Sequence, residues 1–174
     1  MDIFILRHGE AGKRLAVGNN KDSERPLTAA GHKEVVDIAN SLKDQGVKLD
    51  LIISSPLKRA HQTAAIVAKT FKKQKKLEDW NELKPEGNRH DLYRKLSSST
   101  QIKQSSSVLI VGHEPYLTDM ISDMISDGNG RGGGHIVLKK AGLARLAITS
   151  FTPQNLRGEL KWLLTPKHMK NMGK

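Results

Sequence analysis

Three short apolar runs constrain this chain more than any other feature: Ile3-Phe4-Ile5-Leu6, Leu51-Ile52-Ile53 and Val108-Leu109-Ile110-Val111. Runs of this length with no polar alternation read as strands covered on both faces. Each is followed by residues at helical spacing. Thr28 can cap a helix whose apolar face is Val35, Ile38, Ala39 and Leu42, with Gly46 as its stop. Ser55-Pro56 reads as a cap and first helical residue, and Leu57, Ala60, Ala64, Val67 and Phe71 carry that helix to about residue 72. A third helix is expected over 91–103, with Leu92, Leu96 and Ile102. A fourth carries Leu117, Met120, Ile121, Met124 and Ile125. This order predicts an α/β fold: a three-layer α/β/α sandwich with a mostly parallel sheet.

The rest of the chain reads less sharply. Residues 77–87 are expected as a short extended piece and a loop. The glycine-dense stretch 127–134 matches neither a P-loop nor a dinucleotide fingerprint and reads as a loop. Strands are expected at 135–139 and 143–149, hinged at Gly142, and near 159–164. Residues 1–164 read as one domain, and 165–174 as a basic, flexible tail.

Lysine and arginine outnumber aspartate and glutamate 29 to 18, a net charge of +11. That balance favours anionic partners. A cluster from Lys58 and Arg59 through Lys69, Lys72, Lys73, Lys75 and Lys76 suggests nucleic acid. The one aromatic within the cluster, Phe71, belongs to the helix's apolar face, and no RNA- or DNA-binding motif is present, so the cluster reads as a solvated helix face. With no cysteine there is neither a disulfide framework nor thiolate chemistry. No run of about 18 apolar residues occurs, and the chain enters its first strand without a signal-peptide layout. A cytoplasmic protein is expected.

Ligands of open parallel sheets bind outside the carboxyl ends of the strands. Arg7-His8-Gly9, Arg59 and Gly112-His113 each follow such an end. Singly, each has a plain alternative, a solvated strand end. Together they bring two arginines and two histidines to one edge. That set suits phosphoryl transfer, with a neutral imidazole as nucleophile and guanidinium groups holding phosphate oxygens. None of the seven histidines falls in a metal-binding array, and two arginines would repel a cation, so neither metal nor cofactor is expected.

Leu6-Arg7-His8-Gly9-Glu10, Arg25-Pro26-Leu27-Thr28 with Gly31, Ser54-Ser55-Pro56 with Arg59, Ala60, Gln62 and Thr63, and Gly112-His113 resemble the histidine phosphatase superfamily, which includes phosphoglycerate mutases. The resemblance runs from about residue 3 to 150. Within the group the chain is most similar to the short protein-phosphohistidine phosphatases of the SixA type. Mutase relatives carry Ser or Thr and Asn after Arg-His-Gly, and Glu10-Ala11-Gly12 departs from that.

The resemblance implies a phosphoglycerate mutase-like fold and a phosphohistidine intermediate on His8. Arg7, Arg59 and His113 would surround the phosphoryl oxygens, with Gly9 beside them. Glu82, in Trp80-Asn81-Glu82 before Gly87, best matches the family's proton donor; Glu86 and Glu10 are alternatives. The expected substrate is phosphohistidine on a signalling protein, a phosphotransfer or receiver-type domain, acted on by a monomer. A small phosphoester substrate, or a phosphate- or nucleic-acid-binding protein without turnover, stays open.

Overall fold

The computed structural model describes residues 1–13, 22–126, 136–153 and 156–172. In chain order the main elements are β1 (Asp2–Arg7), α1 (Ala29–Asp44), β2 (Leu51–Ser54), α2 (Lys58–Thr70), β3 (Leu77–Asp79), α3 (Arg89–Ser98), β4 (Ser107–Gly112), α4 (Tyr116–Ile125), β5 (Leu143–Phe151), β6 (Leu156–Leu164) and α5 (Pro166–Met172). The strands form one six-stranded sheet in the order β3-β2-β4-β1-β5-β6. β3, β2, β4 and β1 run parallel, and β5 and β6 are antiparallel additions. The expected α/β/α sandwich is present.

The apolar runs explain the layers. Side chains alternate faces along a strand. Ile3 and Ile5 of β1 join Leu92 and Leu96 of α3 and Leu117, Met120 and Ile121 of α4 in one core. Phe4 and Leu6 join Val35, Ile38 and Leu42 of α1 and Ala60, Ala64 and Val67 of α2 in the other. The order of strands accounts for the division. From β1 to β2 to β3 the chain steps outward, and from β3 to β4 it returns to lie beside β1. Right-handed crossovers therefore put α1 and α2 on one face and α3 on the other. The crevice above the adjacent carboxyl ends of β1 and β4 is where helices leave to opposite faces.

Several expectations change. α2 begins at Lys58, two residues later than Ser55-Pro56 suggests; Ser55 Oγ accepts from Leu57 N at 3.3 Å just before it and also meets His113 Nε2. α3 ends at Ser98 rather than near 103. Residues 136–139 form no strand; His135 and the stretch 127–134 lie outside the described residues. The backbone here serves β1 instead. Leu138 O accepts from Arg7 Nη1 at 2.8 Å, Ala141 N donates to His8 O at 3.1 Å, and Arg7 N donates to Gly142 O at 3.0 Å. The C-terminal hairpin is β5–β6, not one hinged at Gly142. The tail expected after residue 164 is in part α5: Met169 is fully buried with the α1 side of the core, and Ser41 Oγ donates to Met169 O at 3.3 Å. Two methionines three residues apart among polar ones give only a short stripe, so α5 depends on its dock.

Candidate active site

Register brings the two histidines together. β1 pairs with β4 so that Arg7 lies opposite Gly112. The next residue on each strand is a histidine, and the rings of His8 and His113 stand 5.2 Å apart between centroids. Both are buried, at 8% and 2% exposure. β2 adds Ser55 one residue past its end, and the start of α2 adds Arg59.

The hydrogen bonds fix how His8 is presented. Its Nδ1 lies 2.7 Å from Gly9 O, a carbonyl that can only accept, so Nδ1 carries the hydrogen. Nε2 is left with its lone pair and accepts from Arg59 Nε at 3.2 Å. Burial lowers the His8 pKa to about 4; the bond to Gly9 O opposes this, and the charges of Arg59, Arg7 and Arg25 add to it. His8 is thus a neutral imidazole with a directed lone pair. His113 is also held neutral, at about 3, by burial and then by the Arg59 charge. Its Nε2 lies 2.8 Å from Ser55 Oγ.

Arg59 is braced from its far side. Its Nη1 donates to Asp22 O at 2.8 Å and its Nη2 pairs with Asp22 Oδ2 at 3.1 Å. Arg25 Nε pairs with the other Asp22 oxygen at 2.8 Å, and Arg25 Nη1 donates to Gly12 O at 2.9 Å. Burial pushes the Asp22 carboxyl up, but Arg59 and Arg25 together hold it below the usual carboxylate range. Thr63, one turn after Arg59, accepts from Gly9 N at 3.1 Å and donates to Arg59 O at 2.8 Å. Gly9 therefore spends its amide on the protein. Its lack of a side chain is a packing requirement, since a Cβ would lie 2.8 Å from Val35 Cγ2.

These groups line a cavity of about 340 Å³ that includes Arg7, His8, Asp22, Arg25, Arg59, His113 and Glu114. A broader cleft of about 710 Å³ shares Arg7 and Lys140 with it and adds Lys139, Lys167 and Glu34. Arg7, His8, Arg59 and His113 are thus brought together. Glu82 is not among the lining residues: both its carboxylate oxygens accept from Lys95 Nζ, at 3.0 and 2.9 Å, and Lys95 also lies over the Trp80 ring. The loop that carries it lends the cavity Pro85 instead. Glu10 faces the broader cleft and pairs with Lys140 at 3.7 Å; Glu86 lines neither space. Asp22, Arg25, Ser55 and Glu114 are the lining or bracing residues that sequence reasoning did not place. Arg25 and Ser55 sat in the quoted motifs, and Glu114 directly follows His113. Asp22 carried no signal. Among the described residues, no three His, Asp or Glu side chains cluster to hold a metal ion.

Residues 3–95 match the sequence model of the histidine phosphatase superfamily (branch 1), more than half of the chain. The chain belongs to the histidine phosphatase superfamily. Its relatives there include proteins of the SixA type. It is 33% identical over 124 residues to the phosphohistidine phosphatase SixA of Escherichia coli K12, covering 71% of this chain and 74% of that one. To the SixA homolog of Haemophilus influenzae it is 33% identical over 138 residues, 74% and 80% of the two chains. A protein histidine phosphatase SixA solved in complex with tungstate superposes with a TM-score of 0.80 at 27% identity, covering 97% of this chain and 99% of that one. The superfamily fold thus extends through the β5–β6 hairpin, well past the segment that the sequence model matches.

Proposed function

We propose that this member of the superfamily is a phosphatase that works through a phosphohistidine on His8, and that its substrate is phosphohistidine on a signalling protein. The observation that carries the reading is the buried, neutral His8 whose Nε2 lone pair faces Arg59. A substrate phosphoryl group entering the cavity would take over the Arg59 Nε hydrogen bond, leaving the lone pair free to attack phosphorus. Arg59, Arg7 and His113 would then hold the three equatorial oxygens. Their donors are fixed before the reaction, so stabilising the transition state costs little reorganisation. If Ser55 donates to His113 Nε2, His113 Nδ1 carries a hydrogen and becomes a donor toward phosphate.

Two features support a protein substrate. The relatives at 33% identity are named phosphohistidine phosphatases. The cleft beside the cavity carries Lys139, Lys140 and Lys167, and the whole chain has a net charge of +11, which suits an acidic phosphotransfer or receiver domain.

The test is an alkaline quench during turnover of labelled substrate. It should trap an acid-labile, base-stable phosphoenzyme, and His8→Ala should lose both label and turnover. Full activity in His8→Ala would sink the mechanism. Comparing kcat/KM for a phosphohistidine protein with a panel of small phosphoesters tests the substrate. A higher value for any metabolite would favour the small-molecule alternative.

A further inference from the structure

Five buried side-chain nitrogen or oxygen atoms among the described residues have no hydrogen-bond partner. Three of them, Arg7 Nε, His113 Nδ1 and Glu114 Oε1, belong to residues that line the cavity at His8. Buried polar atoms are nearly always paired, so this concentration marks a place that a ligand completes. Arg7 Nε is a donor and suits a phosphoryl oxygen. Glu114 Oε1 does not, if ionised: a carboxylate only accepts, and it would face the phosphoryl dianion across a small cavity. With a proton on Oε1 the same atom becomes a donor.

The carboxyl of Glu114 is held in place. Its Oε2 accepts from Thr118 Oγ1 at 2.6 Å, one turn along α4, which leaves the buried Oε1 as the unpartnered atom. Burial raises its pKa, although Thr118 and the Arg7 charge pull the other way. A bound phosphoryl dianion would raise it further. The other carboxyl of the cavity, Asp22, is committed to Arg59 and Arg25, which keep it ionised. His113 is neutral and has no ready proton to give.

We infer that Glu114 is the proton-transfer residue of this site. The inference rests on the phosphoenzyme reading. In the first step the His8 Nε2 lone pair forms the P–N bond. The bond from phosphorus to the leaving oxygen or nitrogen breaks, and its electron pair takes the proton of Glu114 Oε1. In the second step a water oxygen bonds to phosphorus and a water proton passes to the Glu114 carboxylate. The P–Nε2 electrons return to His8, and phosphate leaves. Both residues end as they began.

The test is the dependence of kcat/KM on leaving-group pKa, across aryl and alkyl phosphates, in the wild type and in Glu114→Gln. For an alkyl phosphate the variant should lose on the order of 10²-fold or more, the usual share of a general acid. For p-nitrophenyl phosphate, whose phenolate departs unprotonated, the loss should shrink to about tenfold or less. The variant's plot is therefore steeper. Glu114→Asp, which keeps a carboxyl, should give an intermediate slope, and it serves alone if Glu114→Gln does not fold. Parallel plots, with the same loss for every leaving group, would overturn the role of Glu114 while leaving the phosphatase reading intact. A wild type that forms no phosphoenzyme and turns over none of the series overturns both.

Discussion

At the scale of single residues, the site depends on keeping an imidazole uncharged among arginines. An ordinary histidine would be half protonated near pH 6.5. His8 is held to about 4 and His113 to about 3, so the proposed nucleophile stays available through mildly acidic conditions. The acid limb of kcat/KM, corrected for ionisation of the substrate, should therefore fall only near pH 4. A limb centred near 6.5 would mean that His8 is far more solvated than the hydrogen bonds to Gly9 and Arg59 imply.

At the scale of elements, the loop after β1 and the start of α1 are pressed together. Thr28 N donates to Glu10 O at 2.9 Å, and Leu27 pairs with Ala11 across an isolated bridge. Thr28 Oγ1 caps α1 by accepting from Gly31 N at 3.0 Å. Gly31 then sits so close to the loop that a Cβ would lie 2.2 Å from Glu10 O. Backbone cannot give way as a flexible side chain can, so Gly31→Ala must push α1 off the loop that carries Gly9 and His8. We expect a loss of about 1–3 kcal/mol in chemical denaturation, the usual cost of overpacking. Gly12→Ala, with nothing nearer than 4.0 Å, should cost much less. Equal denaturation midpoints for the two variants would show that α1 shifts freely.

At the scale of the whole molecule, the buried histidines make stability depend on pH. Unfolded, both take up protons near 6.5; folded, they do so only near 4 and 3. Between those values the unfolded chain binds more protons, so stability is full above pH 6.5 and falls as pH drops. The slope is about 1.4 kcal/mol per pH unit for each histidine. Asp22, depressed by its arginines, adds loss of the same sign at lower pH. Glu114, whose carboxyl is raised, works in the opposite direction. Urea midpoints should drop markedly from pH 7 to 4.5, and a His8→Asn, His113→Asn double variant should show a flatter dependence. An equally steep fall in the double variant would place the sensitivity elsewhere.

The sequence by itself determined the layers and the residues that meet at the candidate site. Strands buried on both faces must be apolar throughout, so β1, β2 and β4 were legible, and the polar residues that ended them named Arg7, His8, Arg59 and His113. Only the tertiary structure decided what those residues meet. Local pattern reports whether a segment is covered, not which distant group covers or pairs with it. Glu82 stands in a family-like segment yet is taken by Lys95, while Glu114, unremarked in the sequence, lines the cavity and has a buried oxygen without a partner. Asp22 lies in a stretch of sequence with no periodicity and becomes the brace of Arg59 through two contacts with its guanidinium. α5 is a helix because Met169 finds the α1 face, and residues 136–142 are not a strand because their backbone is spent on Arg7 and His8. These contacts span from 13 residues, for Glu82 with Lys95, to more than a hundred, for Arg7 with Leu138, and periodicity cannot encode them.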